Sequence, residues 1–139
     1  MTFSLVARDA DTGAFGIVIC SSSPAVASRC AHARAAVGVV ASQNVTNPAL
    51  GPLVLDSLAG GSDADAALKA ALAQEKFPDY RQVTVVDANG NTAVHSGAQS
   101  LGVHTHLQGE QAVAAGNLLK DEAVISELLA GYARRQCRS

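Results

Sequence analysis

Apolar and polar positions alternate at the start of the chain. Phe3, Leu5 and Ala7 occupy one set of alternate positions, and Thr2 and Ser4 occupy the other. A period of two places these two sets on opposite faces of a strand. Comparable runs bounded by turn residues recur along the chain, one of them containing an Asn-Gly pair that favours a tight hairpin. They predict strands near 2–9, 14–21, 37–43, 82–88, 91–97, 103–108 and 111–115.

Three segments have the apolar spacing that is typical of amphipathic helices. Asn47, which is followed by proline, is a suitable helix start, and Ser62 is a suitable cap for the next helix. Residues 24–36 are rich in alanine and predict either a short helix or an irregular crossover, whereas Gly116 and Asn117 predict a turn. The predicted helices cover residues 47–59, 62–75 and 121–135.

The order of these elements is strand pairs, two adjacent helices, further strand pairs and a final helix. Such blocks indicate an α+β fold with largely antiparallel sheets, not a series of βαβ units. The chain has 139 residues, of which 48% are hydrophobic, so it can bury a core without disulfide or metal support. No repeat or linker interrupts it, and we therefore expect a single domain over residues 1–139.

Charge and cysteine content narrow the class of protein. The formal net charge is −2 and no basic-aromatic surface pattern is present, which argues against a nucleic-acid-binding protein. The chain shows neither a signal peptide nor an apolar stretch of the ~20 residues that span a bilayer. Cys20, Cys30 and Cys137 are odd in number and lack C-x-x-C spacing, so they indicate neither a disulfide framework nor a zinc site. We therefore expect a reduced, cytoplasmic protein with no membrane association.

Thr2 is the leading candidate for chemistry. An N-terminal threonine supplies a hydroxyl nucleophile together with an α-amine whose ordinary pKa of about 8 suits a general base. This machinery requires the removal of Met1, with which the small threonine side chain is compatible. The alternative is that Thr2 is an ordinary β-branched residue at the start of a strand.

Polar side chains also follow several predicted strands. Serines at a strand end commonly form turns, and Asn47 already has a structural role as a helix cap. In the functional interpretation, these hydroxyl and amide groups line a pocket at the same sheet edge as Thr2. The residues concerned are Ser21, Ser22, Ser23, Gln43, Asn44, Asn47 and Asn117.

The histidines give only a weak indication of a metal site. His104 and His106 lie on the same side of a predicted strand, but no third ligand occurs at a telling distance. No dinucleotide fingerprint, P-loop or G-x-S-x-G motif is present, so we expect no metal and no cofactor. His95, His104 and His106 remain the next groups to consider if Thr2 is not the nucleophile.

An ordered set of segments resembles one bacterial family, the domain-of-unknown-function family 1028, which is placed among the Ntn (N-terminal nucleophile) hydrolase-like folds. The resemblance runs from residue 2 to about residue 132. The matching segments are T-F-S-L-V-A-R-D at 2–9, T-G-A-F-G-I-V-I at 12–19, G-V-V-A-S-Q-N at 38–44, N-P-A-L-G-P at 47–52, R-Q-V-T-V-V-D-A-N-G at 81–90, H-S-G-A at 95–98 and G-N-L-L at 116–119.

The resemblance implies a four-layer αββα sandwich, in which two antiparallel sheets lie face to face between helices. Ntn enzymes place the nucleophile at the start of the first strand, which is the position of Thr2. Members of the family usually continue past the end of this chain, so we expect a C-terminally shortened sandwich. An unpaired sheet edge would then favour a homo-oligomer.

Two functions follow as hypotheses. The first is a cofactor-independent hydrolase of the amidase or deaminase type, which cleaves a C–N bond of a small metabolite through Thr2. Gln43, Asn44 or Asn117 would stabilise the oxyanion, and Arg8 or Arg29 would hold a substrate carboxylate as a bidentate pair. The second is a non-catalytic ligand-binding or assembly module that retains the fold. The substrate itself is left open.

Overall fold

The structure, a computed structural model, describes residues 1–136. Cys137 and the expectations attached to it lie outside these residues. The strands are β1 (Thr2–Arg8), β2 (Phe15–Ser21), β3 (Ala31–Arg34), β4 (Gly38–Asn44), β5 (Arg81–Asp87), β6 (Thr92–Ser96), β7 (Val103–Gly109) and β8 (Ala112–Leu119). The helices are α1 (Ala27–Cys30), α2 (Leu50–Ala59), α3 (Ala64–Ala73) and α4 (Ala123–Gln136), with a short 3-10 helix at Pro78–Tyr80.

The strands form two four-stranded antiparallel sheets. Their orders are β2-β1-β8-β7 in the first sheet and β3-β4-β5-β6 in the second. The sheets pack face to face, and part of the layer between them is an apolar cluster of Val6, Val39, Ala41, Val86 and Val113. Both faces of β1 are therefore buried, because Leu5 and Ala7 pack into a different cluster on the other side.

Helices cover the outer face of each sheet. On the second sheet, α2 and α3 contribute Leu50, Val54 and Leu68 to a cluster with strand residues. On the first sheet, α4 packs through Ile125 and its neighbours against β1 and β8. The layers are thus helix, sheet, sheet and helix, which confirms the expected αββα sandwich. No helix within residues 1–136 has the length and apolar character needed to cross a membrane.

The segment between β2 and β4 contains more regular structure than the sequence predicts. Residues 24–36, expected to be a helix or a crossover, form both the one-turn helix α1 and the edge strand β3. Each of the three predicted helices begins two or three residues later than expected, with α4 starting at Ala123. The backbone N–H of Ala49 donates to Asn47 Oδ1 ahead of α2, and α3 is capped by Asp63 instead of Ser62.

The largest correction concerns the end of β8. The turn predicted at Gly116 and Asn117 is wrong, because this strand continues to Leu119 and pairs with both β1 and β7. A Cβ atom on Gly116 would lie 2.9 Å from the carbonyl oxygen of Thr2 and 2.8 Å from Leu119 Cδ2. Glycine therefore allows β1 to approach β8 closely here. As a result, Asn117 is paired directly opposite Thr2.

Candidate active site

The layer between the sheets changes from apolar to polar along its length. At the end where β1 begins, Ser4, Gln43, Gln82 and Asn117 replace the valines and alanines, and each is no more than 2% exposed. We refer to these four residues as the polar layer. Buried amides are costly unless their hydrogen-bonding groups are satisfied, so their contacts are informative.

The polar layer is a continuous hydrogen-bonded chain that crosses from sheet to sheet. The Ser4 hydroxyl donates to Gln43 Oε1 at 2.7 Å, and Gln43 Nε2 donates to Gln82 Oε1 at 2.8 Å. Asn117 Nδ2 donates to the same Gln82 oxygen at 3.1 Å. The chain ends beside β1, where the candidate nucleophile lies.

A cavity of about 250 Å³ opens beside the polar layer, and we call it the Thr2 cavity. Hydroxyl, amide and guanidinium groups dominate its wall, and no carboxylate lines it. The lining residues are Thr2, Ser21, Ser23, Val26, Arg29, Cys30, Gln43, Asn44 and Thr46. The structure thus brings five of the proposed site residues together with Thr2.

The Thr2 hydroxyl is held by the end of the neighbouring strand. Its Oγ1 lies 2.8 Å from Ser21 Oγ, which also accepts the backbone N–H of Ser23 at 3.1 Å. Ser22 contacts Met1 instead: its backbone N–H donates to the Met1 carbonyl, and its hydroxyl accepts the N-terminal ammonium at 3.1 Å. Met1 is 43% exposed and is not among the lining residues of the Thr2 cavity.

Arg29 supplies the positive charge of the cavity. Its Nη1 donates to the carbonyl of Pro24 at 3.0 Å, and its Nη2 donates to Ser23 Oγ. None of the ion pairs within residues 1–136 includes Arg29. The guanidinium therefore faces the cavity region without an acidic partner from the described part of the chain.

The side chain of Asn44 is engaged in hydrogen bonds that shape the wall of the Thr2 cavity. It adopts a positive φ of 77°, and its side chain donates to the Tyr80 carbonyl at 2.6 Å while accepting the Leu101 N–H at 3.1 Å. Asn117 belongs to the polar layer and is not among the residues that line the cavity. Both amides are nevertheless within the same end of the sandwich as Thr2.

The other proposed binding residues lie outside the cavity. Arg8 is at the opposite end of β1, where it donates to Gln111 Oε1 at 2.6 Å. Asn47 lies beyond β4 and donates to Glu75 Oε2 at 2.6 Å. Asn47 therefore supports the loop that carries Thr46 and is separated from Thr2 itself.

An ion pair anchors this loop. Arg81 Nη2 lies 3.1 Å from Glu75 Oε1, and the two side chains are only 11% and 3% exposed. Arg81 also donates to the carbonyl of Val45, next to the cavity residues Asn44 and Thr46. Burial raises the pKa of Glu75, but hydrogen bonds from Asn47, Phe77 and Arg81 outweigh it and lower this pKa from 4.5 to about 2.

The far side of the polar layer ends at a histidine. Gln82 Nε2 donates to Ser96 Oγ at 3.0 Å, and Ser96 Oγ lies 2.9 Å from His106 Nδ1. Burial, together with the neighbouring His95 and His104, lowers the pKa of His106 below 6.5. No group of three or more metal-ligating side chains occurs among the described residues.

A larger groove elsewhere lacks comparable chemistry. It has a volume of about 630 Å³ and lies between α4 and β2, where Leu5, Val18, Leu128 and Tyr132 form much of its wall. Among the described residues, its lining contains neither a serine or threonine hydroxyl nor a side-chain amide. The Thr2 cavity is therefore the better candidate for a site of reaction.

Sequence reasoning missed Ser4, Gln82, Cys30 and Thr46. Ser4 lies between Phe3 and Leu5, and Gln82 directly precedes a run of β-branched residues; a polar residue in such a strand is the signal that could have found them. Cys30 is 1% exposed in the cavity wall, and its Sγ lies 3.5 Å from Thr46 Oγ1. Its role as a small buried residue fits its position.

Comparison with known proteins identifies relatives of the chain. The model of a family of unknown function, DUF1028, matches residues 2–138. A crystal structure of a protein from Silicibacter pomeroyi, assigned to the same family model, is 29% identical with a TM-score of 0.88. The match covers 92% of this chain and 57% of that protein, so this chain spans little more than half of its length. No curated protein matches the chain. The chain therefore belongs to the family of unknown function DUF1028.

Proposed function

We propose that the protein is a cofactor-independent hydrolase that cleaves the C–N bond of a small, anionic amide through an N-terminal threonine. The observation that carries this proposal is the placement of the Thr2 hydroxyl, the Ser21 hydroxyl and the Gln43 amide around one small polar cavity. Hydroxyl, orienting partner and amide donor are the parts that acyl transfer requires.

The reaction follows from these groups. Thr2 Oγ1 attacks the amide carbonyl carbon, and its proton passes to the α-amine of the same residue. The negative charge that develops on the carbonyl oxygen is stabilised by the Gln43 amide. Collapse of this intermediate breaks the C–N bond and transfers the proton to the leaving amine. Water then attacks the carbonyl of the remaining ester, the C–O bond to Thr2 breaks, and the carboxylic acid leaves as the Thr2 hydroxyl is restored.

The charge and size of the cavity define the substrate class. Arg29 faces the cavity region without an acidic partner in residues 1–136, and a planar guanidinium binds carboxylate through two parallel hydrogen bonds. A volume of about 250 Å³ accommodates a small metabolite and excludes a folded polypeptide. We therefore favour a small amide that carries a carboxylate.

Removal of Met1 is a requirement of the mechanism. Met1 extends outward from β1 and contacts Ser22, so its excision would leave Thr2 and the cavity lining in place. Threonine at the start of β1 in a four-layer αββα sandwich is similar to the arrangement of Ntn hydrolases. This similarity supports the proposal independently of the cavity.

The decisive experiment compares proteins with and without Met1. Mass spectrometry first establishes which form the native host produces. The Met1-free protein, its Thr2→Val variant and the Met1-retaining protein are then screened for ammonia release from small carboxylated amides. Turnover by the first protein alone is expected; equal turnover by the Thr2→Val variant would refute the threonine mechanism.

A second candidate function is binding of a small anion without catalysis. Retention of Met1 would favour it, because the α-amine of Thr2 would then be held in a peptide bond and could not act as a base. In the structure, the Met1 ammonium donates to Ser22 Oγ. The same cavity and Arg29 would then serve recognition only. Quantitative retention of Met1 in the native host, with binding of small carboxylates and no turnover, is the result that this alternative predicts.

Three further proposals concern the location of the protein, its oligomeric state and the molecules that it requires. We propose a cytoplasmic location, supported by Cys20 and Cys30, which form no disulfide within residues 1–136. We also propose a homo-oligomer, supported by the open edge of β2, where Val18 is 59% exposed. A monomeric mass in light scattering at micromolar concentration would contradict the latter. The proposed reaction requires no cofactor, nucleic acid or membrane.

A further inference from the structure

Gln82 is the most completely bonded side chain of the polar layer. It lies at the start of β5, is 0% exposed and does not line the Thr2 cavity. Its Nε2 donates to the Gly116 carbonyl at 3.0 Å and to Ser96 Oγ at 3.0 Å, with the Thr105 carbonyl at 3.4 Å. Its Oε1 accepts from Gln43 and Asn117. Both ends of one amide are therefore engaged between the two sheets.

These partners determine which way the amides point. The backbone carbonyl of Gly116 can only accept a hydrogen bond, so the nitrogen of Gln82 must face it. The oxygen of Gln82 then faces Gln43, which must present its own nitrogen in return. A backbone atom, which cannot flip, thus sets the orientation of successive side-chain amides.

The consequence reaches the Thr2 cavity. Because Gln43 turns its nitrogen toward Gln82, its oxygen lies at Ser4, whose hydroxyl donates to it at 2.7 Å. An amide nitrogen carries two hydrogens, and the bond to Gln82 uses one of them. Gln43 lines the cavity, and no hydrogen bond within residues 1–136 uses its second N–H, so this hydrogen is available to a ligand there.

We infer that Gln82 is a positioning residue that holds Gln43 as a hydrogen-bond donor toward the Thr2 cavity. This inference rests on the proposed function for its catalytic consequence, since an oxyanion needs a donor and is repelled by a carbonyl oxygen. Gln82 itself touches no reacting atom. Its contribution is the orientation of the Gln43 amide through the Gly116 carbonyl.

The test uses phenylboronic acid and the Met1-free protein. Thr2 Oγ1 forms a bond to boron, its proton passes to the α-amine, and the boron becomes tetrahedral and negatively charged. This adduct resembles the tetrahedral intermediate and requires the same donor. Boron NMR detects the tetrahedral species, and titration gives its dissociation constant.

The variants separate positioning from stability. Gln82→Met keeps the side-chain length and is expected to weaken the adduct by about tenfold or more, as loss of an oxyanion donor does. Thr84→Val is the matched control, since Thr84 is 1% exposed on the same strand and its hydroxyl has no partner within residues 1–136. Its dissociation constant should stay within about twofold of the wild-type value.

A double-mutant comparison supplies the sharpest readout. If Gln82 acts through Gln43, then Gln82→Met should weaken the adduct no further in a protein that already carries Gln43→Met. Independent, multiplying effects of the two substitutions would overturn the inference. Should Gln82→Met fail to fold, Gln82→Glu replaces it. A protonated carboxyl supplies one O–H donor for the Gly116 carbonyl and one carbonyl acceptor for Gln43, whereas the ionised form supplies acceptors only. The adduct affinity of Gln82→Glu relative to the wild type should therefore fall as the pH rises.

Failure of the proposed function would be recognised separately. Absence of any tetrahedral adduct with the wild-type protein would refute Thr2 as the nucleophile. Hydrogen exchange of the Gln43 side-chain amide, followed by nitrogen-edited NMR, would still test the positioning role. Faster exchange in Gln82→Met than in Thr84→Val supports that role, and equal exchange rates overturn it.

Discussion

The Thr2 hydroxyl lies 2.8 Å from the Ser21 hydroxyl across the paired ends of β1 and β2. Ser21 Oγ also accepts a hydrogen bond from the backbone N–H of Ser23, so its position is fixed by the loop that follows. The candidate nucleophile is therefore oriented by a group from the neighbouring strand. This relationship depends on a register in which Thr2 and Ser21 are direct partners.

Replacing Ser21 should weaken the site without unfolding the protein. In Ser21→Ala, Thr2 loses the partner that orients its hydroxyl, and we expect the phenylboronic acid adduct to weaken by about tenfold, the equivalent of roughly 1.4 kcal/mol. Ser126→Ala on the exposed surface of α4 is the control and should leave affinity unchanged. Equal affinities of the two variants would show that Ser21 does not orient Thr2.

Arg29 should discriminate between neutral and anionic ligands. A boronic acid that carries a carboxylate should bind the wild-type protein about ten to one hundred times more tightly than phenylboronic acid, because a charge-assisted hydrogen bond contributes roughly 1.5–3 kcal/mol. Arg29→Met should abolish this advantage. Arg34→Met, which removes an exposed guanidinium on β3, should preserve it. Arg8→Met provides a further comparison, since Arg8 lies at the other end of β1.

The close approach of β1 and β8 should depend on Gly116. A methyl group in Gly116→Ala would meet Leu119, Ile125 and the Thr2 carbonyl at 2.8–2.9 Å, so β1 must move. We expect a loss of about 1–3 kcal/mol in the free energy of unfolding, as in other overpacked sites, together with weaker adduct formation at Thr2. Gly16→Ala is the control, because no atom of residues 1–136 lies within 4 Å of its added carbon. Denaturant unfolding measures the free energy of unfolding of the two variants, and titration with phenylboronic acid measures their adduct formation.

Glu75 should make stability depend on acid pH. Its pKa is about 2 in the folded protein and 4.5 by its ordinary value, so the native state binds fewer protons between these limits. The stabilisation is complete above pH 4.5 and is lost as the pH falls toward 2. The free energy of unfolding of Glu75→Gln should therefore vary less with pH across this window than that of the wild-type protein.

At neutral pH, the same substitution should cost about 3 kcal/mol or more, because it leaves Arg81 without its buried partner. Asp65→Asn disrupts an exposed pair with Lys69 and should cost below about 1 kcal/mol. A similar cost for both variants would contradict a structural role for the Glu75–Arg81 pair.

His106 should titrate below the ordinary histidine range. Burial is the main cause of its lowered pKa, and the charges of His95 and His104 add to it. The imidazole resonance of His106 is therefore expected to have a titration midpoint below 6.5, which rises in His104→Gln but does not fully recover. A wild-type midpoint at or above 6.5 would contradict the buried environment.

Local patterns were sufficient to predict much of the architecture. The Asn-Gly pair predicts the β5–β6 hairpin, and the apolar spacing of the last helix predicts the inward side of Ile125 and Leu128, which pack against the first sheet. The sequence also predicts Thr2 at the start of β1. These features depend on neighbours in sequence, where turn geometry and helical or strand periodicity act directly.

Only the tertiary structure decided the remaining features. The alternation of β1 resembles that of a strand with one solvated face, yet Ser4 is 1% exposed because a second sheet covers that face. Gly116 and Asn117 have the composition of a turn, but pairing with β1 on one side and β7 on the other extends β8 through them. Gln82 acquires its role only when Gly116 and Gln43, which are distant in sequence, meet it between the sheets. Local residue patterns thus determined which segments form strands and helices. Burial and long-range hydrogen bonds decided where the strands end and which polar groups meet. The reason is that a buried amide is costly unless it is hydrogen-bonded, and the fold alone brings its partners to it.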